Sequence, residues 1–211
     1  WFYTGLRPAK TEKVRRYDRL IFDVTYNDWT GDRDPFQNHW GSIGMNTNLM
    51  FDIPLSKGNT VSLGVGIAHQ LMRIRHENHL IGDDLLNITT FLGKDSNDVF
   101  TKSLFGANAF SIPLEIRFRK ESWRHFKIHL GGKIGYQVNA YSKYVSKENG
   151  RKQISKEIGF PDENKLIYSA HLRLGLRNWA LFGSYNFNTL FSDKNSVQLN
   201  AIQFGLSISL F

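Results

Sequence analysis

Apolar and polar residues alternate over eight stretches of the chain, separated by clusters of Gly, Asn, Asp, Ser and Lys. A period of two is the signature of a half-buried β-strand. The clearest stretch sets Phe110, Ile112, Leu114, Ile116 and Phe118 against Ser111, Pro113, Glu115, Arg117 and Arg119. In the first, Leu20, Phe22, Val24 and Tyr26 oppose Arg19, Asp23, Thr25 and Asn27. In the second, Ile43, Met45, Thr47, Leu49 and Phe51 oppose Ser42, Asn46, Asn48 and Asp52. In the third, Val61, Leu63, Val65 and Ile67 oppose Ser62, Gly64, Gly66 and Ala68. The fifth sets Phe126, Ile128, Leu130, Ile134, Tyr136 and Val138 against Lys127, His129, Lys133, Gln137 and Asn139. The sixth sets Tyr168, Leu172, Leu174 and Leu176 against Ser169, His171 and Arg173. The seventh and eighth set Trp179, Leu181, Tyr185 and Phe187 against Ala180, Ser184 and Asn186, and Ile202, Phe204, Leu206, Ile208 and Leu210 against Gln203, Gly205, Ser207 and Ser209.

None of the eight apolar faces carries a charge, although charged residues make up 22% of the chain. A strand has only two phases, so this separation has little freedom to arise by choice of register. An Arg or Lys facing lipid at mid-bilayer costs about 2–4 kcal/mol, which would keep such a face clean. No apolar run approaches the roughly 20 residues of a membrane-spanning helix. The expectation is therefore an all-β fold: an eight-stranded antiparallel up-and-down transmembrane β-barrel.

The connections support a membrane barrel over a soluble calyx. Those after the first, third and fifth stretches are long, at Thr30–His39, His76–Thr101 and Tyr144–Lys165. Those after the second, fourth and sixth are short, at Pro54–Asn59, Lys120–Arg124 and Arg177–Asn178. Short turns at one end and long loops at the other is the outer-membrane arrangement. The fourth connection on the long side, Phe191–Ser196, is shorter, and the second long connection has room for a short turn of helix. Trp29 and Trp40 flank the first long loop, while Trp123 and Trp179 adjoin short turns, which predicts an aromatic girdle at each interface.

Five segments carry a family resemblance: Tyr17–Asp23 (YDRLIFD), Met50–Gly58 (MFDIPLSKG), Phe110–Arg119 (FSIPLEIRFR), Lys133–Tyr144 (KIGYQVNAYSKY) and Leu181–Phe191 (LFGSYNFNTLF). Together they resemble the PorT-like outer-membrane β-barrel proteins of Bacteroidota, from about Tyr17 to Phe211. Phe211 is similar to the closing aromatic of a barrel-assembly signal, although it falls on the polar parity while Leu210 holds the lipid parity. The resemblance implies an outer-membrane location and no shared enzymatic activity. Some members resemble parts of the type IX secretion machinery, a role these residues do not carry over.

Two parts are expected: residues 1–16, a basic periplasmic N-terminal segment, and residues 17–211, the barrel. Trp1 opens the chain without the basic and apolar regions of a signal peptide, so the sequence reads as a mature or trimmed chain. With eight strands, both termini emerge at the short-turn end, which the barrel pattern makes periplasmic.

The formal net charge is +8. Basic residues gather toward the short-turn end: Arg7, Lys10, Lys13, Arg15 and Arg16, then Arg119, Lys120, Arg124 and Arg177. Outer-membrane lipids, and a protein partner in the outer membrane or periplasm, fit this better than nucleic acid. The chain has no cysteine, which excludes disulfides, thiolate metal sites and a cysteine nucleophile.

Candidate chemistry is concentrated in the lumen. An eight-stranded barrel is just wide enough to be filled by side chains. The polar face supplies Arg19, Asp23, Asp52, Glu115, Arg117, Arg119, Lys127, His129, Lys133, His171 and Arg173. The expected outcome is an ion-pair network that plugs the barrel; the alternatives are a narrow ion-conducting path or a lipid-modifying enzyme. His69, His76 and His79 lie toward the outer end of the third strand, but no spacing selects a catalytic set. Asp32, Asp34, Asp83, Asp84, Asp95 and Asp98 lie in long loops and lack EF-hand spacing. The sequence thus assigns no catalytic, cofactor-binding or metal-ligating residue and no cofactor. It points to a structural or interaction role, such as an accessory subunit of an envelope complex for secretion, assembly or uptake.

Overall fold

The alternating stretches form strands, and eight of them close on one another. The computed structural model describes residues 19–32, 39–56, 60–76, 78–92, 100–120, 126–148 and 151–210. Within these lie β1 (Leu20–Gly31), β2 (Ile43–Pro54), β3 (Val61–His76), β4 (His79–Asp83), β5 (Ile88–Leu92), β6 (Phe100–Arg119), β7 (Phe126–Glu148), β8 (Arg151–Ile158), β9 (Leu166–Leu176), β10 (Trp179–Asn186) and β11 (Leu199–Leu210). Neighbours pair in the order β6-β3-β2-β1-β11-β10-β9-β7, and a β6–β7 pairing closes the ring. Every pairing is antiparallel. Closure removes the edges that an open sheet would expose.

The register puts Leu20 opposite Leu210, at the end that also carries the short turns before β3, β7 and β10. The tightest of these is Arg177–Asn178, where Arg177 takes a left-handed conformation (φ 52°) to close the β9–β10 hairpin. Leu114, Leu130, Ile134, Leu181 and Phe204 all project outward and are exposed. Asp23, Glu115, Arg117, Lys127, His129, Lys133, His171 and Arg173 project inward and are buried. Both faces follow the alternation of the sequence.

Toward the long-loop end the alternation inverts. On β3, Arg73 and Arg75 are exposed outside, while Met72, Ile74 and His76 are buried inside. On β1, Trp29 is fully buried inside the barrel. This corrects its expected place in an outer girdle. Trp179 (58% exposed) faces outward on β10, Trp40 (79%) is exposed in the turn before β2, and Trp123 lies outside the described residues. On β7 the inversion is built by a bulge. Ala109 pairs with Gln137 and Asn108 with Asn139, so Val138 is one residue more than β6 can match. Val138 is exposed outside and Ala140 is buried inside.

The loop end holds more strand than the sequence suggests. β6 begins at Phe100 and β7 runs to Glu148, beyond the stretches expected from alternation. The connection with room for a turn of helix forms the β4–β5 hairpin, and β8 returns along the top of β7. Residues 1–16, where the basic segment was placed, and Phe211 lie outside the described residues.

Candidate functional site

The lumen is filled in three layers. The layer nearest the turn end is ionic. Arg173 on β9 donates from Nε and Nη2 to the two carboxylate oxygens of Asp23 on β1, at 3.1 and 2.8 Å. Its Nη1 donates to Glu115 Oε1 on β6, so one guanidinium links two carboxylates across the barrel. Arg117 donates from Nε to Glu115 Oε2 (2.8 Å) and from Nη1 to Asp52 Oδ1 (2.5 Å). Arg119 completes the chain at Asp52 Oδ2 (2.6 Å) and donates to Ser62 Oγ (2.9 Å). The remaining acceptor capacity is used as well. Asp23 also accepts from Asn48 Nδ2 at 2.9 Å and from the Ser207 hydroxyl, and His171 Nε2 lies 2.8 Å from Glu115 Oε1. His129 Nδ1 stands 3.8 Å from Glu115 Oε2, and Lys127 donates to Ser209 at 2.8 Å.

Two glycines make room for this layer. Gly64 and Gly131 flank Glu115 in register on β3 and β7. A Cβ at Gly64 would lie 2.6 Å from Arg117 Nε, and one at Gly131 would lie 2.8 Å from Glu115 Cγ. A narrow barrel can hold long ionic side chains only where its wall is thinned in this way. Phe182, also inward, places its ring 5.0 Å from the Arg173 guanidinium and 5.1 Å from Lys133 Nζ. Both contacts place a cation over an aromatic face.

Above lies a layer of amides. Asn27 Oδ1 accepts from Thr25 Oγ1 and Gln203 Nε2, both at 2.9 Å. Asn27 Nδ2 donates to the Arg73 carbonyl (3.1 Å), and Asn46 Nδ2 to Gln203 Oε1 (3.3 Å).

The third layer is an apolar cap. Trp29, Met72, Ile74, Phe105 and Leu199 from the barrel wall pack with Leu80 of β4 and with Phe160, Leu190 and Phe191 from the long connections. Ring centroids are 5.2 Å apart for Trp29–Phe105, 6.0 Å for Phe105–Phe160 and 5.5 Å for Phe160–Phe191. A buried carboxylate clasps the loops above it. Asp162 accepts from Thr89 Oγ1 at 2.5 Å and from the Ser196 hydroxyl, while its carbonyl accepts from Ser192 N at 2.9 Å. Thr89 and Ser196 are themselves joined, Thr89 N donating to Ser196 Oγ at 2.9 Å. Three connections thus meet at one side chain.

The expected ionic plug is present, but it occupies only the turn-end part of the lumen. Arg19, counted with that group, precedes β1 and is half-buried. The cap was missed because its members sit in polar surroundings. The signal was Phe160, an aromatic within an otherwise polar connection, and the Leu190–Phe191 pair ahead of the last one.

The histidines considered for catalysis are not brought together. His69 faces outward against the Phe110 ring (5.0 Å), whereas His76 is buried inside beside Trp29 (5.7 Å). The side chain of His79 lies outside the described residues. Among the acids considered for calcium, Asp83 accepts from the N–H groups of Leu85 and Leu86, and Asp32 accepts from Gln198 N. Asp34, Asp95 and Asp98 lie outside the described residues. Among the described residues no group of three or more metal-ligating side chains converges.

No family model matches the chain, and no curated protein matches it. Among solved structures, it is similar to the crystal structure of Ail, the attachment invasion locus protein of Yersinia pestis. That likeness covers 92% of this chain and 97% of the other, at 13% identity and a TM-score of 0.39.

Proposed function

We propose that this chain is an integral outer-membrane barrel with a closed lumen and a structural or interaction role, serving as an accessory subunit of a larger envelope assembly. The observation that carries this reading is the pairing of an exposed apolar exterior with a filled interior. Outward aliphatic and aromatic side chains are exposed on all eight barrel strands, including Val24, Phe51, Ile67, Ile112, Ile134, Leu174, Leu181 and Phe204. Soluble proteins rarely leave contiguous apolar patches beyond a few hundred Å² open to water. A bilayer supplies the missing contact. The charge-free belt lies above the short turns, as in outer-membrane barrels, and this orientation faces both chain ends to the periplasm.

Among the described residues, ion pairs fill one end of the lumen, amides the middle and an apolar cap the other, which supports a closed lumen. A partner is then met through exterior surfaces: the loops, the turn end or the segment 1–16. The resemblance to PorT-like proteins favours an envelope complex. Two measurements test this reading. Planar-bilayer recording should show no stable conductance, and a reproducible porin-sized channel would overturn the closed lumen. Mild detergent extraction should recover the barrel with a stoichiometric envelope partner, and recovery as a lone monomer would remove the subunit role.

A further inference from the structure

Above the apolar belt, the outer wall of the barrel becomes basic on one side. β3, β6, β7 and β8 lie side by side there, and their register aligns the outward residues in rows. One row runs Arg75, Leu104, Lys143, Lys156. The row beneath it runs Arg73, Gly106, Tyr141, Ile158. Arg73, Arg75 and Lys156 are exposed and Lys143 is half-buried. None of the four forms an ion pair with a described residue, and the described outer face of these strands above Leu71 carries no acid.

The surface between the cations is shaped. A Cβ at Gly106 would lie 2.3 Å from Tyr141 Cζ and 2.5 Å from its hydroxyl, so the tyrosine ring lies across β6 toward Arg73. Lys156 Nζ sits 4.7 Å from the centroid of the same ring. The result is a shallow shelf with an aromatic floor, a guanidinium at one side and ammonium groups at the other. The row beneath runs Leu71, Asn108 and Asn139, and below it the apolar belt begins with Phe110 and Val138.

We propose that this shelf binds the phosphate-bearing headgroup of an outer-leaflet glycolipid, with Arg73, Arg75, Lys143 and Lys156 contacting phosphate and Tyr141 packing beneath the sugar. The inference rests on the membrane orientation proposed above. Three features select this occupant. The shelf is continuous with the lipid-facing belt, so a molecule whose acyl chains lie on the belt presents its headgroup here. Four cations with no acid among the described residues of this face favour an anion, and Arg matches phosphate oxygens through a planar pair of donors. The shelf lies at the end away from the short turns, which is the outer leaflet in this orientation.

The test compares the chain with the variant R73Q/R75Q/K143Q/K156Q, refolded into neutral phosphatidylcholine vesicles and into neutral detergent. Both proteins should insert equally into the neutral vesicles. In detergent, the variant should bind lipopolysaccharide about tenfold more weakly or worse, given the attraction of each basic residue to an anionic surface. Dephosphorylated lipopolysaccharide should bind both proteins alike. Equal affinity of the two proteins for intact lipopolysaccharide would overturn the proposal. Inorganic phosphate that competes fully at millimolar concentration would also overturn it, by identifying a free-anion site. Failure of both proteins to enter neutral vesicles would strike the membrane reading itself and this inference with it, a result distinct from loss of lipopolysaccharide binding alone.

Discussion

Arg173 on β9 and Asp23 on β1 face each other across the lumen, joined by two parallel hydrogen bonds of 3.1 and 2.8 Å. Neither strand neighbours the other in the barrel, since β11 and β10 stand between them. The pair therefore ties opposite parts of the wall through the interior. Removing one partner of a buried pair leaves an uncompensated charge and costs about 3–5 kcal/mol. Arg173→Met should destabilise the barrel by this amount in urea unfolding from vesicles. Asp23→Leu combined with Arg173→Met should cost less than the two single changes together. Strict additivity would show that the pair is not coupled.

Leu114 and Leu130 lie on the apolar belt at 52% and 55% exposure, while Leu85 at the tip of the β4–β5 hairpin is 96% exposed. Leu114→Arg or Leu130→Arg should reduce insertion into vesicles sharply, since each puts a charge against lipid at a cost of about 2–4 kcal/mol. Leu85→Arg should leave insertion unchanged. The yield of heat-modifiable, folded protein on a gel distinguishes them. Equal loss at all three positions would reverse the assignment of the belt.

The Asp162 carboxylate ties its own loop to two others through the Thr89 and Ser196 hydroxyls, and hydrogen bonds to a charged group contribute about 1.5–3 kcal/mol each. Asp162→Ala should free the loops without unfolding the ionic layer below. Limited proteolysis should then cut near Thr89 and Ser196 while a protected barrel core survives. Phe105→Ala, which empties part of the cap, should cost about 3–5 kcal/mol in global unfolding.

Partial burial beside the β4–β5 hairpin raises the pKa of Glu157. The Gly82 N–H that it accepts opposes the shift, and nearby Asp84 adds to it. A carboxyl raised in the folded state destabilises the fold when ionised, so stability falls as pH rises through its ordinary value of 4.5. Glu157→Gln should make the hairpin slightly more protease-resistant at pH 7 and no different at pH 3. A larger effect at low pH would contradict the sign.

The outer faces of β2, β6 and β9 were legible because charge is absent from every second position of their alternating stretches, as at Leu114 and Leu172. The ionic layer was legible for the complementary reason, since Glu115, Arg117 and Arg173 had no other direction to point. The wall beyond the belt follows a different rule. There the exterior carries the exposed Arg73, and the interior, which meets folded loops, takes Trp29 in place of its expected outer girdle. Alternation persists through that change, but its polarity reverses, and a reading that assigns one polarity to one face ends each strand too early. The clasp at Asp162 depends on contacts between connections distant in sequence, and no local pattern announces them.

Val138, the unmatched residue of β7, acts on its strand as a frameshift acts on a message. Everything after it is displayed on the opposite side of the wall. Were the strand to alternate regularly through Val138 with no bulge, Tyr141 and Lys143 would be carried into the cap, and Ala140 and Ser142 would be turned outward. The outer boundary along this strand is thus marked by one inserted position. Moving the insertion by two residues would shift that boundary roughly 6–7 Å along the strand while leaving the composition untouched.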